Sequence, residues 1–343
     1  MRKFSAGGEK LLNIFSFLIY IFALFLMKIT GFFSYSFLVR LGKFLGNILY
    51  IFPCFGRLCY QNVHAAFPEK SKEEAKDIAR KSLQSLALTC LEFLWIRSNE
   101  DEWEKMLDLT DADEVAKMGL ACLPEGKGAI FVTPHLGNWE ISGKLLAQVY
   151  KFPMATVART SRNPYLDKLI SGGRSSSGNV EIIYAKGGAK GMKSALNKGK
   201  TLGILIDQNV KLRHGGIFVN MFGLPIPVSR APAVLGRTQN RFFAVGASFR
   251  QENGTFKVYL KTLPKPAKDY ESDEELIQAL TDISEELIRM APEQYLWMYK
   301  RFQYIPEGTP QEAVQRFPSY AKRPNKHFYT NNPLVLGRRK KED

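Results

Sequence analysis

The chain has 343 residues, of which 45% are hydrophobic and 24% are charged, and these ordinary globular values exclude wholesale disorder or a low-complexity chain. Four cysteines exclude a disulfide scaffold, and their spacing without a neighbouring His pair predicts no metal site. The net charge of +15 favours an anionic partner: nucleic acid, anionic lipid, a phosphorylated substrate or an acidic protein.

The first predicted element is residues 11–27, an uncharged run of 17 residues. As a helix it would be about 26 Å long, at the short end for a bilayer core. We interpret it as a membrane anchor; a signal peptide and a buried core helix are the alternatives. The residues after Met27 contain no small-residue cleavage site, which argues against a signal peptide.

The second predicted element is an amphipathic helix over residues 37–52. Its apolar positions recur every three or four residues: Phe37, Leu41, Phe44, Leu45, Ile48, Leu49 and Phe52. Arg40, Lys43 and Asn47 fall on the opposite face. This pattern is typical of a helix lying in the interface of an anionic membrane, although a surface helix of a globular domain has the same pattern.

The chain is predicted to become globular after Pro53, in a domain over 53–310. Ser71 and Glu74 form a capping box that opens a helix to about Arg97. Beyond it, apolar strands at 128–133, 154–159, 180–184, 201–207, 242–249 and 255–260 alternate with helices near 139–150, 163–172, 187–198, 229–240 and 272–291. The predicted fold is therefore α/β, a mixed sheet covered by helices on both faces, with an N-terminal membrane-anchoring segment over 1–52. Residues 311–343 are predicted to be a basic, irregular tail.

The strand GAIFVT is followed by Pro134 and His135, and a helix begins near Asn138. Ligands of open α/β sheets bind outside the carboxyl ends of strands, and histidine exchanges protons near neutral pH. Glu140 can fold back onto one ring nitrogen, so that the other nitrogen takes a proton from a hydroxyl. The sequence therefore predicts His135 as a general base and Glu140 as its partner.

The His-x4-Glu spacing alone is weak evidence, because His64 and Glu69 have it too. His64 follows no predicted strand and lies in a connecting segment that leads to a helix cap. We therefore interpret His64 as structural and His135 as functional.

Further candidate residues lie at the ends of neighbouring strands. Arg159, and Arg174 in a Gly/Ser-rich stretch, suit bidentate binding of phosphate or carboxylate, although solvated arginines are the alternative. Asp207 closes the apolar strand TLGILID, which favours a site role over a helix cap. Asn138 is a further candidate substrate-binding residue. The loop from Lys186 to Lys190 lacks the ending of a nucleotide-binding motif.

Several segments together resemble the lipid A biosynthesis acyltransferases, a branch of the lysophospholipid acyltransferase-like superfamily. The resemblance covers roughly residues 10–307. Its segments are AFPE, HLGNWE, NPYLDKLISGGR, GMKSALNKGK, ILIDQN and MAPEQYLWMYKRF, the last of which is the most specific to this branch.

The resemblance implies a Gram-negative inner-membrane enzyme with its catalytic domain on the cytoplasmic side. It would move a fatty acyl chain from acyl-acyl carrier protein to a hydroxyl of a lipid A precursor, and it would need no cofactor. By match of motif, His135 is the base, Glu140 its partner, and Arg159, Arg174 and Asp207 surround the site. The chain departs from the pattern after Asp207, where relatives often have a second Asp.

Two alternatives remain open from the sequence. The same site could acylate a phosphatidylinositol mannoside, an ornithine lipid or a lysophospholipid. The chain could also be a non-catalytic protein that binds anionic membranes. Nucleic-acid binding is not expected, because the basic residues lie beside lipid-like helices and the chain has no recognition motif.

Overall fold

The computed structural model describes residues 6–110, 128–158, 163–165, 167, 172, 180–184 and 188–330. The helices are α1 (Ala6–Thr30), α2 (Tyr35–Ile51), α3 (Pro53–Ala66), α4 (Lys72–Ser98), α5 (Trp139–Gln148), α6 (Gly188–Asn197), α7 (Ala231–Gln239), α8 (Asp273–Met290), α9 (Gln311–Arg316) and α10 (Lys326–Tyr329). The strands are β1 (Leu107–Asp108), β2 (Ile130–Thr133), β3 (Met154–Ala158), β4 (Val180–Tyr184), β5 (Thr201–Leu205), β6 (Gly216–Met221), β7 (Leu224–Ser229), β8 (Phe243–Arg250) and β9 (Phe256–Thr262).

Seven strands form one sheet in the order β1-β9-β8-β2-β5-β3-β4, with β2 at its centre. Every pairing in this sheet is parallel except β8 with β9, so the predicted mixed α/β sheet is confirmed. β2 and β8 are buried because both faces of the sheet are covered. Ile130 and Val132 pack in one core cluster, whereas Phe131, between them, packs against Leu146 of α5 in another.

Three segments differ from the sequence-based prediction, the last of them the tail after 310, which was predicted to be irregular. The predicted connecting segment around His64 is helical, since α3 begins at Pro53 and contains His64 in its last turn. Residues 216–229 form an antiparallel hairpin of β6 and β7, which was not predicted. In the described part of the segment after 310, α9 and α10 pack onto the domain, and Phe328 is almost fully buried.

The helix α2 packs closely against the long helix α4. Its buried residues are Leu38, Gly42 and Gly46, and a Cβ atom at Gly46 would lie only 2.3 Å from the Cα of Gln84. The two glycines therefore let the helix backbones approach each other. The outer side of α2 is apolar and exposed at Phe44 and Ile51, with the exposed cations Arg40 and Lys43 beside it.

The predicted anchor, residues 11–27, lies within α1, which also exposes apolar side chains, among them Phe15, Leu18, Phe22 and Phe25. Among the described residues, no single helix has the length and hydropathy expected of a membrane span. The pair α2 and α3 meets those criteria jointly, but its two helices are bent by 92°.

Candidate active site

His135 lies just beyond the carboxyl end of the central strand β2. Thr133 of β2 pairs with Leu205 of the parallel neighbour β5, and Asp207 follows Leu205 by two residues. The carboxyl ends of parallel strands meet at one edge of a sheet, so the two side chains converge although 72 residues separate them.

Asp207 holds both the ring and the backbone of His135. Its Oδ1 lies 2.6 Å from the ring Nδ1, and its Oδ2 accepts a hydrogen bond from the His135 backbone N–H at 3.0 Å. A carboxylate beside Nδ1 favours a proton on that atom, which leaves the lone pair of Nε2 available. The Gln208 side-chain nitrogen lies 3.3 Å from Nε2, consistent with an amide N–H donating to that lone pair.

Tyr295 and Arg301 complete the surroundings of Asp207. The Tyr295 hydroxyl donates to Oδ2 at 3.0 Å, and the Arg301 Nη2 lies 3.1 Å from the same oxygen. Both side chains are almost fully buried. Burial alone would raise the pKa of Asp207, but its contacts with His135 and the positive charge of Arg301 lower it well below its ordinary value. Asp207 is therefore a negatively charged partner for the ring.

Glu140 lies in the first turn of α5, at the rim of an apolar cavity. The carboxylate found at Nδ1 of His135 is that of Asp207, so Asp207 takes the position that the sequence analysis expected for Glu140. The catalytic role of Glu140 stays a prediction.

Asn138 caps the amino end of α5. Its side-chain oxygen accepts hydrogen bonds from the backbone N–H groups of Glu140 and Ile141, both at 3.1 Å. Its Nδ2 donates to Glu92 at 2.9 Å, and the residue is fully buried. Both the oxygen and the nitrogen of the Asn138 amide therefore form hydrogen bonds within the protein. Arg159 and Arg174 lie outside the described residues, and their substrate-binding role stays a prediction.

Trp139 links His135 to the apolar cavity, since its ring packs edge-on against the imidazole at 5.1 Å and also lines the cavity. The cavity has a volume of about 110 Å³. Its apolar lining includes Phe93, Ile96, Phe131, Ile141, Met154, Val180 and Leu205. Gly143 of α5 also lines it, and a Cβ atom there would meet nothing within 4 Å. The site therefore combines a proton acceptor with space for an apolar chain.

Tyr295 and Arg301 are members of this site that were not predicted from the sequence. They lie in the segment MAPEQYLWMYKRF, which the resemblance had singled out without giving them a role. Within the described part of the chain, no group of three or more His, Cys, Asp or Glu side chains is placed to hold a metal ion.

Known proteins are similar to this chain over most of its length. The model of the bacterial lipid A biosynthesis acyltransferase family matches residues 6–304. The chain belongs to this family. It is 24% identical over 282 residues to the lipid A biosynthesis lauroyltransferase of Escherichia coli, a match covering 80% of the chain and 88% of the relative.

Two other relatives of the acyltransferase are similar to it at comparable identity. The chain is 24% identical over 254 residues to the lipid A biosynthesis palmitoleoyltransferase of Escherichia coli, covering 72% of the chain and 78% of the relative. It is 27% identical over 189 residues to the phosphatidylinositol mannoside acyltransferase of Mycolicibacterium smegmatis, covering 53% of the chain and 60% of the relative. Membership makes the protein an acyltransferase that modifies a glycolipid.

Proposed function

We propose that this acyltransferase moves a fatty acyl chain from acyl-acyl carrier protein to a hydroxyl of a lipid A precursor, at the cytoplasmic face of the inner membrane. The observation that carries the proposal is the His135–Asp207 pair beside an apolar cavity. The pair supports proton removal, and the cavity supports a long hydrocarbon substrate. The net charge of +15 suits an acidic carrier protein and a phosphorylated lipid.

In the proposed mechanism, Nε2 of His135 accepts the proton of the acceptor hydroxyl after that hydroxyl displaces Gln208. The hydroxyl oxygen attacks the thioester carbon, the carbon–sulfur bond breaks, and the imidazolium returns the proton to the departing thiolate. Asp207 keeps Nδ1 protonated and stabilises the imidazolium. Arg159 and Arg174 are proposed to bind phosphates or carboxylates of the substrates.

Reaction of the purified protein with acyl-acyl carrier protein and with the matching coenzyme A thioester tests the donor. Mass spectrometry of lipid A from cells with and without the gene tests the acceptor. We expect one acyl chain fewer on lipid A without the gene. Unchanged lipid A together with an altered phosphatidylinositol mannoside would favour the alternative acceptor that one relative supports.

A substitution at Gly143 tests whether the cavity is the binding site of the acyl chain. Leucine at this position would place its side chain in the open space that Gly143 faces. We expect Gly143→Leu to lower the rate with the longest accepted acyl donor about tenfold or more, with a smaller loss for shorter donors. A series of donors of increasing chain length measures the effect.

Gly143→Ala is the matched control, because it adds one methyl group and improves helix propensity by about 0.5–1 kcal/mol. It should raise the melting temperature and keep the chain-length profile. Equal losses for all donors in the leucine variant would contradict an acyl-chain role for the cavity.

The exposed apolar side of α2 is proposed to lie on the membrane. Without residues 1–30, binding to anionic vesicles should fall but persist, and salt should weaken it further. In that shortened chain, Phe44→Glu with Ile51→Glu should lower the vesicle partition coefficient at least about tenfold, because each buried side chain contributes about 1.5–3 kcal/mol.

Flotation with vesicles measures this partition, with Met290→Glu as the control because Met290 is also half exposed but lies at the end of α8. Full solubility of the shortened chain at low salt would contradict the interfacial role of α2.

A further inference from the structure

A buried ion pair lies behind the active-site loop and has no part in the mechanism above. Glu92 of α4 is fully buried, and Arg250 ends β8. The contact is bidentate: Arg250 Nη2 lies 2.6 Å from Glu92 Oε2, and Arg250 Nε lies 3.0 Å from Oε1. The Glu92 carboxylate also accepts hydrogen bonds from Tyr35 of α2 at 2.8 Å and from Asn138 at 2.9 Å.

A buried ion pair is poor evidence for stability, since removing two charges from water costs about as much as their attraction returns. An apolar pair could fill the same space. What the ion pair provides here is four directed contacts on one carboxylate, one of which fixes the orientation of the Asn138 amide.

Asn138 connects the pair to the loop that carries His135. With its Nδ2 held by Glu92, the opposite end of the amide points at the first N–H groups of α5 and sets where that helix begins. The loop residue Gly137 has φ +61°, and a Cβ atom there would lie 1.9 Å from the Ser248 carbonyl oxygen.

The rest of the loop is tied to the same group of residues. The Gly137 N–H donates to the Gln294 carbonyl at 3.1 Å, and the Gln294 side chain donates to the Arg250 carbonyl at 2.9 Å. The Thr89 hydroxyl donates to the Gly137 carbonyl at 3.3 Å. These ties lead back to α4 or to the end of β8, beside the backbone hydrogen bonds of His135 with Asp207 and Leu296.

We infer that Glu92 and Arg250, acting through Asn138, are positioning residues that fix the His135 loop relative to Asp207. The inference rests on the proposed function for its kinetic test. It gives Asn138 a role inside the protein in place of the predicted substrate contact. Misplacement of a reacting group by about 1 Å can lower a rate by roughly 10².

The experiment first adds a carboxylate at position 138 and then removes the one at position 92. The negative charge is thereby transferred from one partner of the Asn138–Glu92 hydrogen bond to the other. Asn138→Asp keeps a good helix cap but places a second carboxylate beside Glu92. We expect kcat to fall at least about tenfold with KM changed less than about threefold, because the geometry of the base is altered and not the binding of substrate. Adding Glu92→Gln removes the repulsion between the two carboxylates and leaves one negative charge in the cluster, so part of the lost kcat should return.

A second measurement does not depend on acyl transfer. The proton shared by His135 Nδ1 and Asp207 gives a downfield NMR resonance, which should shift or broaden in Asn138→Asp and recover in the double variant. If the wild-type protein acylates no lipid, the proposed function fails, whereas this resonance still tests the positioning role.

Asn138→Ser covers the case in which Asn138→Asp does not fold, since serine keeps the cap oxygen but cannot donate to Glu92 from the same place. Its kcat should fall several-fold with the resonance altered. The inference is overturned if folded Asn138→Asp or Asn138→Ser keeps wild-type kcat and resonance. It is also overturned if the double variant folds without recovery, or if KM rises while kcat is unchanged, which would indicate a substrate contact.

Discussion

Replacing His135 by alanine is expected to lower the rate of acyl transfer by about 10²–10⁴, the usual contribution of a general base. The protein should still fold, because the side chain lies at the end of β2 and not within the sheet core. The measurement is transfer from an acyl-acyl carrier protein to a lipid A precursor, normalised to folded enzyme in the membrane fraction.

His64 is the matched control, because it has the same spacing to a glutamate. It is exposed in the last turn of α3, where its ring stacks on Tyr60 at 5.7 Å. His64→Ala should change stability at most, with turnover per folded molecule within a few-fold of wild type. A dead His64 variant together with an active His135 variant would overturn the site and the mechanism.

The second large effect is expected for Asp207→Asn. The variant keeps the size of the side chain, but its amide can donate to Nδ1 and so favour the tautomer that carries its proton on Nε2. That tautomer cannot accept the substrate proton, so we expect a loss of about 10² or more in kcat. A thermal melt is needed beside the kinetics, since the variant leaves Arg301 buried without its carboxylate.

Glu140→Gln is the comparison that separates the two carboxylates. Asp207 contacts the ring and Glu140 lies at the cavity rim, so the loss in Glu140→Gln should be the smaller one. A larger loss in Glu140→Gln than in Asp207→Asn would restore Glu140 as the orienting partner that the spacing predicts.

The sheet was predictable because its central strands are continuous apolar runs that end in turn or polar residues. The hairpin of β6 and β7 was not, since Pro225 and Pro227 argue against a strand in sequence reasoning. Both prolines are accommodated because β7 pairs with β6 alone and lies outside the seven-stranded sheet. For α3, the apolar spacing is too weak to mark a helix that packs mainly through Cys59, Val63 and small residues.

The candidate site was predictable one residue at a time but not as a set of contacts. His135 and Asp207 each follow an apolar strand, and this signal is local. Their contact depends on β2 and β5 being neighbours in the sheet, and strand order is a property of the whole fold. Tyr295 and Arg301 lie in irregular backbone after α8, where periodicity carries no information about what they face.

Gly137 and Gly143 differ in the substitutions that the fold tolerates. At position 137 the Cβ atom of any other residue would collide with a backbone oxygen, so the fold does not tolerate a substitution there. At position 143 a side chain would extend into open space, so a single substitution can be accommodated without disturbing the loop that carries His135. The proposed acyl-chain cavity can therefore be reshaped by single substitutions while the catalytic loop stays unchanged.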